Sequence, residues 1–206
     1  MKQMVLILGR RTGTSTLAKA VFDRGLNLAG PLDVAPFDQN PQGHYECEDV
    51  RNLNIRILKT YRTNTNMPGL MAFRYLKELP GFVEDRLHHG WGKSQVIVKE
   101  PLLASTWPMW WRSFRDLFDG GVDMKVIWCR RDRADTIRSC ERWFQPQVEE
   151  LVDWGLCVDS YALHAKTALD FLGGIELWLD DPDRESKALD FIELEGLKYG
   201  EHDERR

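Results

Sequence analysis

Met4-Val5-Leu6-Ile7-Leu8-Gly9-Arg10-Arg11-Thr12-Gly13-Thr14-Ser15-Thr16 is the stretch that decides how this chain is read. Its apolar run, Met4–Leu8, has the length of a strand and lacks the alternation of a half-exposed one, so it reads as a strand buried on both faces. Gly9 ends the run, and a helical pattern begins at Ser15 with Thr and Ser as capping residues. A strand–loop–helix unit of this kind aims several backbone N–H groups at one spot, where the helix dipole also favours negative charge. The spot suits a phosphate or a sulfate. The alternative is a plain helix N-terminus with Ser/Thr caps.

The rest of the chain sets the frame for that loop. Its 206 residues are expected to form one domain, with a frayed charged end over 200–206. A hydrophobic content of 43% and a charged content of 29% are those of a globular protein with a real core. The net charge of -4 argues against nucleic acid as a partner. Cys47, Cys129, Cys140 and Cys157 are widely spaced, without a CxxC pair or zinc-type spacing, and read as free thiols in a reducing, cytoplasmic setting. The first apolar run is too short for a membrane span.

Strands are expected at Met4–Leu8, Gln95–Val98 and Met124–Cys129, with a weaker one at Ile175–Leu179. Helices are expected at Ser15–Arg24, Asp49–Tyr61, Tyr75–His88, Ala104–Phe118, Ala134–Trp143 and Val148–Leu172. Buried strands alternating with helices specify a three-layer α/β/α fold around a mostly parallel sheet. Gly30–Gly43, with Pro31, Pro36 and Pro41, reads as a long loop near a site, and Asn64–Gly69 as an exposed turn.

The loop differs from a nucleotide kinase's GxxxxGK(S/T). Gly9 and Gly13 are one residue too close, and Thr14 stands where the lysine belongs. Arg11 is the cation inside the loop, placed to reach a bridging oxygen while the N–H groups of Thr12 to Thr16 hold the near phosphate. A second basic element, Arg130-Arg131-Asp132-Arg133-Ala134-Asp135 through Ser139, follows the strand Met124–Cys129. An arginine at a strand's carboxyl end and a hydroxyl on the next helix can bind a second phosphate. The alternative is a solvated basic helix start with Asp135 pairing Arg131 or Arg138.

Taken together these residues resemble the sulfotransferases that use 3′-phosphoadenosine 5′-phosphosulfate, in their bacterial-type branch. Arg11-Thr12-Gly13-Thr14-Ser15 is similar to the family's K/R-S-G-T-S/T loop, and Arg131 through Ser139 to its R-N/D-P-x-D-x-x-x-S element. Asn40-Pro41-Gln42-Gly43-His44-Tyr45-Glu46 resembles the N-P-x-G-x-aromatic-E segment, and Val96-Ile97-Val98-Lys99-Glu100-Pro101 the I-x-K-D/E-P strand end. Ile175–Gly196 is similar to the late strand, D-P, helix stretch. The likeness runs in order over most of the chain. It departs at Arg133, where the family has Pro, at Thr12, where Ser is usual, and in lacking an R-K-G segment.

The resemblance implies a fold like that of the P-loop nucleoside triphosphate hydrolases. It also implies sulfuryl transfer from that donor to a hydroxyl or amine of a small-molecule or carbohydrate-like acceptor, with adenosine 3′,5′-bisphosphate as product and no metal. Arg10, Arg11, Thr12, Gly13, Thr14, Ser15 and Thr16 would bind the donor's 5′ end, and Arg131 and Ser139 its 3′-phosphate. Arg11 would stabilise charge on the leaving oxygen, and Lys99 would assist on the same side or contact the acceptor. Glu46, expected to follow the long loop and open a helix, is the first choice of base, with His44 and then Glu100 behind it. Trp107, Trp110 and Trp111 share a helix face, read as core or as an aromatic wall for the acceptor; Trp143 and Trp154 are open between the same two readings. A small-metabolite kinase, an arginine-rich nucleic-acid module and a catalytically degenerate relative are the competing readings.

Overall fold

The opening apolar run forms strand β1 (Lys2–Leu8) at the centre of the sheet, in a computed structural model that describes residues 2–34, 43–63, 79, 81–82, 85, 95–117, 122–144 and 152–203. β1 pairs in parallel with β4 (Gln95–Lys99) on one side and β5 (Val122–Arg130) on the other. β6 (Gly174–Trp178) adds a further parallel strand, giving the order β4-β1-β5-β6. Ile7 lies opposite Lys99, and Leu8 opposite Trp128, so the carboxyl ends of β4, β1 and β5 open into one crevice. The chain crosses over β1 between β4 and β5, which makes this end the topological switch point of the sheet.

Side-chain alternation along β1 sorts the core into two layers. Met4, Leu6 and Leu8 pack with residues of α2 (Glu48–Thr63), α3 (Leu103–Leu117) and α5 (Trp154–Leu172). Val5 and Ile7 pack with Leu17 and Val21 of α1 (Thr14–Asp23) and with Ala188 and Ile192 of α6 (Arg184–Asp203). Helices therefore cover both faces, as the unbroken apolar strands require. α4 (Arg133–Phe144) leaves the end of β5 and packs beside α5. A short antiparallel pair, β2 (Leu32–Asp33) with β3 (Glu46–Cys47), lies within and just after the expected long loop.

Several expectations shift on contact with the fold. Glu46 does not open a helix; it sits on β3, and Glu48 and Asp49 fill the first turn of α2. The long helix begins at Trp154, where the Asp153 carboxylate accepts from the Leu156 N–H and caps it, and positions 148–151 of the expected helix lie outside the described residues. α6 was carried only by the resemblance, and it extends to Asp203, into the end expected to fray. The helix expected at Tyr75–His88 falls largely outside the described residues, as do the turn at Asn64–Gly69 and Asn40, Pro41 and Gln42 of the loop. Trp107 and Trp110 are core residues, and Trp111 packs against them, with Phe171 beneath Trp107 and Trp111.

A buried polar hub ties the layers to the sheet. Asn54 of α2 is fully buried; its Nδ2 donates to Glu100 at 2.5 Å, and its Oδ1 accepts from Trp110 Nε1 at 2.9 Å and Thr106 Oγ1 at 2.8 Å. Removing that amide strands the indole N–H and one Glu100 oxygen; Thr106 keeps a bond to the Leu102 carbonyl. We predict that Asn54→Ala lowers stability by about 3 kcal/mol, since each buried group left without a partner costs about 1–3 kcal/mol. Urea unfolding would show this as a lower midpoint with an unchanged slope. A loss under about 1 kcal/mol would mean that the hub is not the anchor described.

Candidate functional site

The loop after β1 is shaped by two glycines. Gly9 has φ 156°, and a Cβ there would stand 2.2 Å from Thr12 Oγ1 and 2.9 Å from the Cys129 carbonyl. Gly13, with φ 76°, is the residue that caps α1, and no side chain makes a capping hydrogen bond. The Ser/Thr cap expected from the sequence is therefore absent, and Thr14 Oγ1 turns back to the Gly9 carbonyl at 3.4 Å. Thr14, Ser15 and Thr16 of the first turn of α1 line the crevice. Arg11 is itself left-handed (φ 59°), a conformation that costs a non-glycine residue about 1 kcal/mol or more and is kept where the surroundings fix it.

What fixes Arg11 is the second basic element. Its Nε donates to Ser139 Oγ at 3.1 Å, and its guanidinium lies 4.5 Å from the ring centre of Trp143. Arg10 lies over Phe144 in the same way, at 4.6 Å. Residues of α4 thus clasp the loop from the β5 side, and Trp143 is part of the site. Burial pulls the Arg11 pKa down from its ordinary value, with Arg131 and Arg142 adding to the shift. Arg131 opens onto the same cavity and has Asp135 at 3.8 Å.

β4 brings the third group. Lys99 is 2% exposed; its Nζ donates to Glu46 Oε1 at 2.7 Å, to the His44 carbonyl at 2.8 Å and to Ser15 Oγ at 3.4 Å. The loop lacks a lysine of its own, and a neighbouring strand supplies the ammonium at the start of α1. Burial lowers the Lys99 pKa, and the Glu46 carboxylate works against that shift. Glu46 is shared with Arg51 of α2 at 3.8 Å, and Arg51 is held by Asp33 at 3.2 Å. The His44 pKa is lowered, chiefly by burial, so its ring is neutral at pH 7.

Loop, Lys99, His44, Glu46, Arg131 and Ser139 line one cavity of about 460 Å³, within the range of about 300–1,000 Å³ typical of small-molecule sites. Every residue proposed from the sequence for donor binding or catalysis is on its wall. A second cavity of about 310 Å³ lies against Arg10, Thr12 and Arg131, lined by Trp128, Trp154 and Trp178. Trp107, Trp110 and Trp111 pack into or against the core and line neither of these two cavities.

The other arginines of the basic run have acidic partners. Arg130 is sandwiched between Trp128 and Trp178 and bonded to Glu176 at 2.8 Å. Arg133 makes two 2.7 Å bonds to Asp159, and Arg138 pairs with Asp135. The expected pairing of Asp135 is therefore real, and Arg131 shares it only loosely. Residues the sequence did not single out include Arg51, Asn54 and Tyr161, whose hydroxyl accepts from the Gly9 N–H at 2.8 Å. No local pattern marks them, because their roles come from packing across the sheet. The cysteines are all free thiols, three of them buried.

Among the described residues no His/Cys/Asp/Glu group is placed to hold a metal ion, and no helix is long and apolar enough to cross a membrane. No family model matches the chain, and no curated protein matches it either.

Glu100 carries the most perturbed carboxyl of the site. It is 1% exposed, and burial raises its pKa from 4.5 to about 7, although the Leu102 N–H (3.1 Å) and Asn54 oppose the shift. Folded chains thus keep a proton that unfolded chains have lost between those two values, so Glu100 destabilises the fold progressively as pH rises through that window. The shift corresponds to a loss on the order of 3 kcal/mol. We predict that wild type loses stability relative to Glu100→Gln as the pH rises from 5 to 8, measured by urea unfolding of both proteins. A difference that stays flat with pH would contradict a raised Glu100 pKa.

Proposed function

We propose that the protein is a sulfotransferase with a fold of the P-loop nucleoside triphosphate hydrolase kind. It moves a sulfuryl group from 3′-phosphoadenosine 5′-phosphosulfate to a hydroxyl or amine of a small-molecule or carbohydrate-like acceptor. One observation carries the reading. Two anion-binding elements far apart in sequence meet at the Arg11–Ser139 hydrogen bond, in one cationic cavity with Arg131. A nucleotide phosphorylated at both ends of its ribose needs two such elements side by side. The arginine-rich nucleic-acid reading weakens correspondingly, since Arg130, Arg133 and Arg138 are committed to acidic partners.

The donor supplies an electrophilic sulfur on a phosphate leaving group. The residues' tasks are to hold it in line and to balance charge on the leaving oxygen. The N–H groups at the start of α1 and the Lys99 ammonium serve the 5′ end, while Arg131 and Ser139 serve the 3′-phosphate. Arg11, held against Trp143, closes the cavity between them. Both Glu46 oxygens are engaged, Oε1 by Lys99 at 2.7 Å and Oε2 by Arg51 at 3.8 Å. We therefore assign proton acceptance to His44, neutral by burial and on the same wall, and give Glu46 the task of orienting Lys99. A reducing, cytoplasmic setting belongs to this reading and rests on the free thiols.

Lys99 near Ser15 also favours a second reading, a magnesium-dependent small-metabolite kinase, because it puts an ammonium where such enzymes have one. Thermal melts separate the two. Adenosine 3′,5′-bisphosphate without metal is expected to raise the melting temperature, and ATP with magnesium to do so less. A ligand at a hundred times its Kd adds about 2.7 kcal/mol. Arg131→Ala and Ser139→Ala are each expected to weaken the bisphosphate about tenfold or more, as loss of a hydrogen bond to a charged group does. Stabilisation by ATP and magnesium alone would favour the kinase. Unchanged bisphosphate affinity in both variants would remove the 3′-phosphate assignment.

A further inference from the structure

Arg184, the first residue of α6, follows the turn after β6. Its side chain is buried, 7% exposed for the whole residue, and among the described residues its Nη1 has no hydrogen-bond partner. Among the described residues the carboxylate within 4.0 Å is that of Glu185, at 4.0 Å from Nη2 and half exposed. Nη1 of this guanidinium is shut off from water without a hydrogen bond in return, an unfavourable position for a cation unless further negative charge comes near.

What faces the guanidinium is the anion loop. A Cβ on Gly13 would stand 2.8 Å from Arg184 Nη1 and 2.6 Å from Leu179 Cδ1, so the loop's turn packs on Arg184 with no space for a side chain between them. Gly13 is the cap of α1, and the first-turn residues Thr14, Ser15 and Thr16 line the cavity. Helix dipole and buried guanidinium therefore add their positive potential at one place. Thr12 Oγ1, a second buried atom without a partner, sits in the same loop. The loop is charged from above by Arg11 and Lys99 and from beneath by Arg184.

We infer that Arg184 is a positioning residue of the anion site, a buried cation under Gly13 that tunes the loop for a multiply charged oxyanion. The inference rests on the reading of the loop at 9–16 as an anion site, and it identifies the charge class that the site prefers. A single negative charge leaves part of the cationic cradle unbalanced, whereas a phosphoanhydride-type group balances it. A purely structural arginine would stabilise the empty protein. This one, with Nη1 buried and unbonded and only a 4.0 Å contact to the half-exposed Glu185, destabilises the empty protein and is offset by the bound anion.

The test uses melting curves and titration calorimetry on the full chain, with inorganic pyrophosphate and adenosine 3′,5′-bisphosphate as probes. Arg184→Met is expected to melt no lower than wild type without ligand, and to bind pyrophosphate about tenfold more weakly or worse. Arg184→Lys, which keeps the charge, is expected to recover most of that loss. Pyrophosphate affinity unchanged in Arg184→Met, or lost equally in Arg184→Lys, would overturn the inference. Should the methionine variant not fold, Arg184→Gln is read by the same affinity criterion. Wild type stabilised by pyrophosphate but not by the bisphosphate would sink the sulfotransferase reading and leave the role of Arg184 standing. Stabilisation by neither would end both.

Discussion

Parallel pairing of β1 with β4 and β5 at once is the constraint on which the site depends. A strand with ladders on both sides cannot shift its register without breaking both, so the carboxyl ends of the three strands are fixed relative to one another. Gly9 leaves the first, Lys99 and Glu100 end the second, and Arg131 follows the third. Each group reaches the crevice because its strand stops there. The helices are interchangeable in principle; these three ends are not.

Charge is the second organising fact. Arg10, Arg11, Arg51, Lys99 and Arg131 line the cavity, while Glu46 and Glu100 are its acids. Glu100, pushed up to about 7, is only partly ionised near neutrality, and Glu46 is divided between Lys99 and Arg51. The excess of cations over anions suits a ligand with several negative charges. Arg184 adds to it from a direction that a view of the cavity wall alone does not show.

Much of the fold was legible because the strands are buried on both faces and so keep continuous apolar runs. Met4–Leu8, Gln95–Val98 and Met124–Cys129 all fall within observed strands. The loop at 9–16, Arg131, Ser139 and Lys99 were legible too, since each sits at a strand end or on the helix that follows. Glu46 was misplaced because a two-residue strand leaves no periodicity to read. The Ser/Thr cap was misread because Gly13 in the left-handed region caps the helix without a side chain.

By itself, then, the sequence determined the layered α/β architecture and the two basic elements, because both are written locally as burial pattern and as residue type at strand ends. Only the tertiary structure decided which of the charged groups meet. It joined Arg11 to Ser139, gave Glu46 to Lys99, tied Glu100 to Asn54, and set Arg184 Nη1 against Gly13 without a hydrogen bond. Such pairings depend on strand order and on which helix lies over which face. Long-range electrostatics of that kind has no signature in the spacing of residues along a chain.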